Sequence, residues 1–340
     1  MKKVLKECSL LIILCIFLIF IVVFKCLKED DSIKTITLNT LPTNETRLVD
    51  DSIWCPTFQL IWNDLKNKII GQDIVFNNDS DNSFAKELNR ESFNENMISD
   101  EYYYKNYGYM TKELKEIIEK DLQEKFNEKS DILDSFNFSE KSREYFLYSM
   151  LYRKFTFKNP FDILSKKTFG ISDNSDSKLY DNVRVLFYED SNNYALSLLT
   201  NEHDEVILYK GARGKTFHDT YKIIVDKTSP DVSKFSFDDR LTVSNMNFNT
   251  NRTYDEITGK VFMDISGNEF YISRAIQTVS FKLDNTGGRV KSESAMAVKM
   301  MAVRVNRHFD FTSDYVLFLK EESRDEPYLG INVTNIKNFQ

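Results

Sequence analysis

From residue 145 onward the chain is a succession of short apolar and aromatic runs broken by polar turns: 183–188, 194–199, 206–209, 241–248, 270–283 and 316–319. β-Branched and aromatic residues dominate these runs, which is the pattern of strands packed on a common core. Helical spacing is concentrated earlier. Leu60, Ile61, Trp62, Leu65, Ile69 and Ile70 predict an amphipathic helix over 58–70, stopped by Gly71. Leu114, Ile117, Ile118 and Leu122 predict another over 111–126, and a third helix is expected over 217–225. Helices early and strands late make the class α+β. The 340 residues are 41% hydrophobic and 14% aromatic, enough for one large core, and 10 Gly with 5 Pro exclude collagen-like or Pro-rich architectures. Residues 77–100 are rich in Asn, Asp and Ser and read as loop.

The N-terminus has a separate logic. Lys2, Lys3 and Lys6 precede an apolar run from Cys8 to Phe24, on which Leu10, Ile13, Phe17, Phe20 and Val23 lie, and Lys25 and Lys28 follow it. No small-x-small cleavage motif succeeds Phe24, so residues 1–28 read as an uncleaved signal anchor, with lipid bilayer as its partner. The basic flank keeps the N-terminus cytoplasmic and puts the remainder outside, or secretes it if the segment is cleaved. Residues 29–52 read as a polar tether and 53–340 as the folded domain.

Catalytic signals are missing. The three histidines, 203, 218 and 308, have no second His or Cys at ligand spacing, so no metal and no cofactor are expected. No Gly-x-Ser-x-Gly elbow occurs. The sequence Gly211-Ala212-Arg213-Gly214-Lys215-Thr216 lacks the first Gly of a phosphate loop and reads as a strand-to-helix turn. The net charge of -7 excludes nucleic acid as a partner. The expectation is a protein that is not an enzyme. Cys55 is the one thiol of the exported part, and burial, a link to Cys26 and an intermolecular bridge all remain open to it. Asn44-Glu45-Thr46 and Asn251-Arg252-Thr253 are acceptor motifs for N-glycosylation only in a eukaryotic secretory pathway.

Four blocks in fixed order, from residue 151 to residue 333, resemble the serpin superfamily. Leu151-Tyr152-Arg153-Lys154-Phe155-Thr156-Phe157-Lys158-Asn159-Pro160-Phe161-Asp162, followed by Thr168-Phe169, is similar to that family's strand ending in an aromatic, a spacer and Pro-Phe. Asp181 to Leu199 looks like its paired strands. Phe262-Met263-Asp264-Ile265-Ser266-Gly267, then Phe270-Tyr271-Ile272-Ser273-Arg274-Ala275-Ile276-Gln277-Thr278-Val279 and Phe281-Lys282-Leu283-Asp284-Asn285-Thr286-Gly287, resembles "A-D-x-S-G … L-Y-V-S-x-V-x-H-K-A … E-V-N-E-E-G". Residues 311–319 and 327–333 resemble the closing hairpin.

The resemblance implies a serpin-like α+β domain with N-terminal helices and a large mixed or antiparallel sheet system. It implies a reactive-centre loop over 287–308, attacked by a serine or cysteine protease near Met301-Ala302. Its hinge comprises Asn285, Gly287, Gly288, Val290, Ser292 and Ser294. The cut loop of such an inhibitor enters the central sheet, and the alternation fits entry: Gly288, Val290, Ser292, Ser294, Met296 and Val298 form a small or apolar face, and every charge lies opposite. A monomer is expected. A non-inhibitory binding or surface-structural protein on the same scaffold is the alternative. The family's Asn-x-x-x-Ser-Pro-x-Ser element is expected after Ile74-Val75-Phe76, where Asn77-Asn78-Asp79-Ser80-Asp81 stands without proline. Ser149 occupies a position where the family usually has Asn, the hinge has Asn285 and charges in place of Glu and Ala, and no counterpart of the helix covering the sheet is evident.

Overall fold

The computed structural model describes residues 34–77, 82–229, 234–287 and 307–340. Chain order begins with β1 (Asn39–Leu41), β2 (Ser52–Trp54), α1 (Thr57–Asp64), α2 (Ser83–Asn89), β3 (Tyr103–Tyr109), α3 (Lys112–Phe126) and β4 (Tyr145–Leu151). β5 (Asp162–Ser165), β6 (Thr168–Ile171), β7 (Val183–Asp190), β8 (Asn193–Leu199), β9 (Asp204–Lys210) and α4 (Phe217–Lys227) follow. Then come β10 (Arg240–Ser244), β11 (Met246–Thr253), β12 (Val261–Met263), β13 (Glu269–Tyr271) and β14 (Ile276–Leu283), and finally β15 (His308–Phe311), β16 (Tyr315–Glu321) and β17 (Pro327–Val333).

The organising element is a seven-stranded sheet of order β1-β2-β17-β16-β9-β8-β7. Every residue of β16 and β17 is buried, which is why 316–319 reads as an unbroken apolar run and not as alternation. α4 covers this sheet, its Phe217 and Tyr221 rings standing edge-on to Phe318 at 5.9 and 5.5 Å. The helix comes close because Gly330 faces it, where a Cβ would lie 2.7 Å from the Phe217 ring. Thr216 caps α4 by accepting from Asp219 N–H, so the Gly211–Thr216 stretch is the strand-to-helix turn expected.

A four-stranded sheet of order β15-β10-β6-β5 and the β12–β13 hairpin stand beside it. Two antiparallel ribbons complete the strands. β3 pairs β4 over their whole length, and β11 pairs β14 from Met246 opposite Leu283 to Thr253 opposite Ile276. The segment entering the fold joins the β11 edge, Ile36 N–H donating to Asn249 O at 2.9 Å. α3 packs on one face of the β3–β4 ribbon, closing a small core of Leu114, Ile118, Leu122, Phe146 and Tyr148.

Two expectations for the N-terminal half are corrected. Residues 29–52 are not a tether throughout: Leu38, Thr40, Leu41, Thr43 and Asn44 are buried, and β1 is a parallel neighbour of β2 in the large sheet. The stretch has no periodicity because its few apolar side chains are spent at one edge. Residues 77–100 are not all loop either, since α2 lies there and buries Ala85 and Leu88 against α1. The helix expected over 58–70 forms, but its second half, Leu65–Ile70, is a π-helical turn ending at Gly71 in the left-handed region. Among the described residues no helix is long and apolar enough to cross a membrane. Leu10, Ile13, Phe17, Phe20 and Val23 lie outside the described residues.

Candidate functional site

β4 and β14 each spend one edge on a ribbon partner, and among the described residues no ladder joins them to one another. Both are tied to the same turn behind them. Ser149 Oγ on β4 donates to Thr57 O at 2.7 Å. Gln277 Nε2 on β14 donates to Cys55 O at 2.9 Å and Thr57 Oγ1 at 3.0 Å, and its Oε1 accepts from Tyr254 OH at 2.6 Å. The two strands thus flank a slot whose floor is Cys55-Pro56-Thr57, the start of α1. At the lower end the rings of Tyr145 and Phe270 approach to 6.4 Å, and Arg274 stacks 5.0 Å over Phe136 while donating to Ser135 O.

The upper end is occupied by the turn Asp284–Gly287. After Leu283 the chain doubles back, Asp284 N–H donating to Gly287 O at 3.1 Å and Gly287 N–H to Asp284 O at 3.3 Å. Asp284 Oδ1 steadies the turn by accepting from Thr286 N–H and Oγ1. Gly287 then forms antiparallel bridges to Asp284 on one side and Thr156 on the other. Phe157 N–H donates to Thr286 O at 3.0 Å, Phe161 N–H to Asn285 O at 2.8 Å, and Asn285 Nδ2 to Phe161 O at 3.1 Å. Only glycine fits: φ is +110°, and a Cβ would meet Phe155 O at 2.6 Å and Thr156 Cα at 2.7 Å.

Going up from the floor, Ser149 to Thr156 and Gln277 to Asp284 cover the same number of residues. The two flanks are therefore in step and run in the same direction, with Gly287 antiparallel to both. Along β14 the buried residues are Gln277, Val279, Phe281 and Leu283, and Thr278, Ser280 and Lys282 face outward.

Of the residues expected at the hinge, Asn285 and Gly287 lie in the turn bonded to Phe161 and Thr156. Gly288, Val290, Ser292, Ser294, Met301 and Ala302 lie outside the described residues. A proline at a helix start follows β2, where Pro56 opens α1, and not Ile74-Val75-Phe76. Gln277 and Thr57 were not among the expected site residues, since a Gln and a Thr carry no signal until the fold brings them together. Cys55 is a free, buried thiol, and burial pushes its pKa up to about 11. Among the described residues no group of three or more His, Cys, Asp or Glu is placed to hold a metal ion.

Solved serpins are among the structures similar to this chain. A thyroxine-binding globulin in complex with thyroxine matches with a TM-score of 0.42 over 66% of this chain and 65% of its own. Serpin48 of the insect Tenebrio molitor, described as highly specific, matches with a TM-score of 0.40 over 76% and 82%. Human kallistatin matches with a TM-score of 0.41 over 65% and 63%. All three are 12% identical to this chain, which spans less than two thirds of the globulin and of kallistatin. No family model matches the sequence, and no curated protein is similar to it.

Proposed function

We propose that this is a serpin-like inhibitor of a serine or cysteine protease, in which the slot between β4 and β14 receives the reactive loop as a new strand. The observation that carries the reading is Gly287, which already pairs antiparallel with both flanks. A strand continued from it in the same register would set Gly288, Val290, Ser292 and Ser294 inward, beside Leu283, Phe281, Val279 and Gln277. Arg289, Lys291 and Glu293 would face outward beside Lys282, Ser280 and Thr278. Parity fixed by the hinge thus agrees with the small and apolar face of the sequence. Cleavage near Met301-Ala302 would free the strand, whose entry distorts the acylated protease before water releases it.

The test is thermal melting of the full chain before and after limited proteolysis within 288–306. A large rise in Tm on cutting supports insertion, since the intact fold would hold strain that the added strand relieves. An unchanged or lowered Tm removes the inhibitory reading. It would favour a non-inhibitory scaffold, a reading that draws on the pinning of both flanks to Cys55–Thr57 by Ser149 and Gln277. The same proposal anchors the protein in a bilayer through residues 8–24 with the domain outside the cytoplasm. Protection of the N-terminus, but not of the domain, from protease added outside intact cells would support it.

A further inference from the structure

Beyond Leu151 the β4 chain leaves its ribbon, yet Phe155–Phe157 must hold position for Gly287 to pair with it. What fixes this stretch is the turn between β8 and β9. Glu202 takes Thr156 N–H on one carboxylate oxygen at 2.7 Å and Thr156 Oγ1 on the other at 2.9 Å. Asn201 N–H donates to Thr156 O at 2.9 Å, and its side chain reaches Thr156 Oγ1 and Phe157 O. All the polar groups of Thr156 are thus engaged by two consecutive residues of one turn. Arg153 straps that turn down, giving Nη2 to Glu202 O and Nε to Asp204 Oδ2, both at 2.6 Å, with its guanidinium 3.8 Å over the Tyr102 ring.

We propose that Glu202, Arg153 and Asp204 are positioning residues for the hinge: through Thr156 they hold the top of the slot one strand wide, so that the loop enters a prepared site. The inference rests on the inhibitory reading for its purpose and on the uncut protein for its test. Apart from this latch the Phe155–Phe157 stretch has the bridge of Phe157 to Thr200 and the Asn201 bonds but no extended ladder, so without Glu202 the partner of Asn285–Gly287 is held less firmly.

Charge at the latch gives a signature that simple destabilisation does not. Asp204 faces Arg153, Tyr328, Tyr102 and Glu321, and its other oxygen accepts from Tyr328 OH at 2.8 Å. Glu321 is itself taken up by Ser99 N–H and Oγ and lies near Arg324, and Lys320 donates to main-chain carbonyls of Glu321 and Arg324. Burial pushes the Asp204 carboxyl up to about 6, against the pull of Arg153 and Tyr328. Opening that withdraws Arg153 takes away the cation that pulls this buried carboxyl down, so the carboxyl takes up a proton, and the latch is tighter at pH 7 than at pH 5.

The experiment is amide hydrogen exchange on the uncut full chain, corrected for the intrinsic pH dependence, read at Phe157 and Phe161. Glu202→Ala should speed exchange there about tenfold or more, with Glu202→Gln in between, and leave Leu208 and Leu317 in the large sheet unchanged. In the unaltered protein, protection at the same two amides should rise by up to about tenfold from pH 5 to pH 7, and Asp204→Asn should flatten that profile. Unaltered exchange in Glu202→Ala, equal loosening of the large sheet, or a pH profile that persists in Asp204→Asn overturns the proposal. If Glu202→Ala does not fold, Arg153→Lys is read in the same way, since an ammonium cannot span Asp204 and Glu202 O together. Failure here leaves the melting test of insertion standing, and failure of that test leaves the latch measurable.

Discussion

Replacing Gln277 by Ala tests the floor of the slot. The side chain is buried and makes three hydrogen bonds, two from Nε2 to Cys55 O and Thr57 Oγ1 and one to Oε1 from Tyr254 OH. Tyr254 is fully enclosed, and burial holds its phenol far above its ordinary pKa, so the hydroxyl has no water to turn to. Orphaning it costs about 1–3 kcal/mol, and the two lost donors cost about 1 kcal/mol each. The space vacated adds about 1 kcal/mol at the usual cavity cost, for a total of about 4–6 kcal/mol. That is a large part of the about 5–15 kcal/mol that holds a typical domain together. Urea unfolding of the full chain at pH 7 should show the midpoint falling with little change in slope. In a Tyr254→Phe background the same substitution should cost about 1–2 kcal/mol less, because no hydroxyl is left stranded. A loss below about 1 kcal/mol, or identical losses in the two backgrounds, would refute the claim that these bonds fasten β14 to the turn before α1.

Three further outcomes are expected. Gly287→Ala should unseat the hinge without unfolding the sheets, since its Cβ collides with main chain at Phe155 and Thr156; proteolysis at 284–288 should accelerate and the melt of the uncut protein stay nearly constant. Asp204, with a folded-state carboxyl raised from 3.8 to about 6, should contribute stability that is complete below pH 4 and lost as pH rises through 6. The amount is at most about 3 kcal/mol, read as the pH-dependent difference between the unaltered protein and Asp204→Asn. The difference is needed because carboxylates such as Asp51 act in the opposite sense: burial raises it, but N–H donors from Asn335 and Thr334 prevail and hold it low. Cys55 should resist a thiol reagent at pH 8 in the native protein and react at once in urea, because burial keeps it a protonated thiol; rapid native labelling would show that the floor of the slot opens.

What the sequence determined by itself was the material of the fold. Alternation and β-branched runs are local properties, so β7, β8, β9 and β16 could be read within a few residues, as could the helix whose cap is Thr111. Gly287 stands in a turn at φ +110° that favours glycine. β2 was not legible because pairing partners are not written into a three-residue strand: it is identified by lying between β1 and β17. Tertiary structure alone decided that Ser149 and Gln277 grip one turn, and that Glu202 and Arg153 hold the place where Gly287 pairs. These contacts join residues far apart in the chain, and a Glu or an Arg in a polar turn carries no periodic signal. Their meaning comes from burial and from which main-chain groups they find within hydrogen-bonding reach, and both exist only after the sheets have packed.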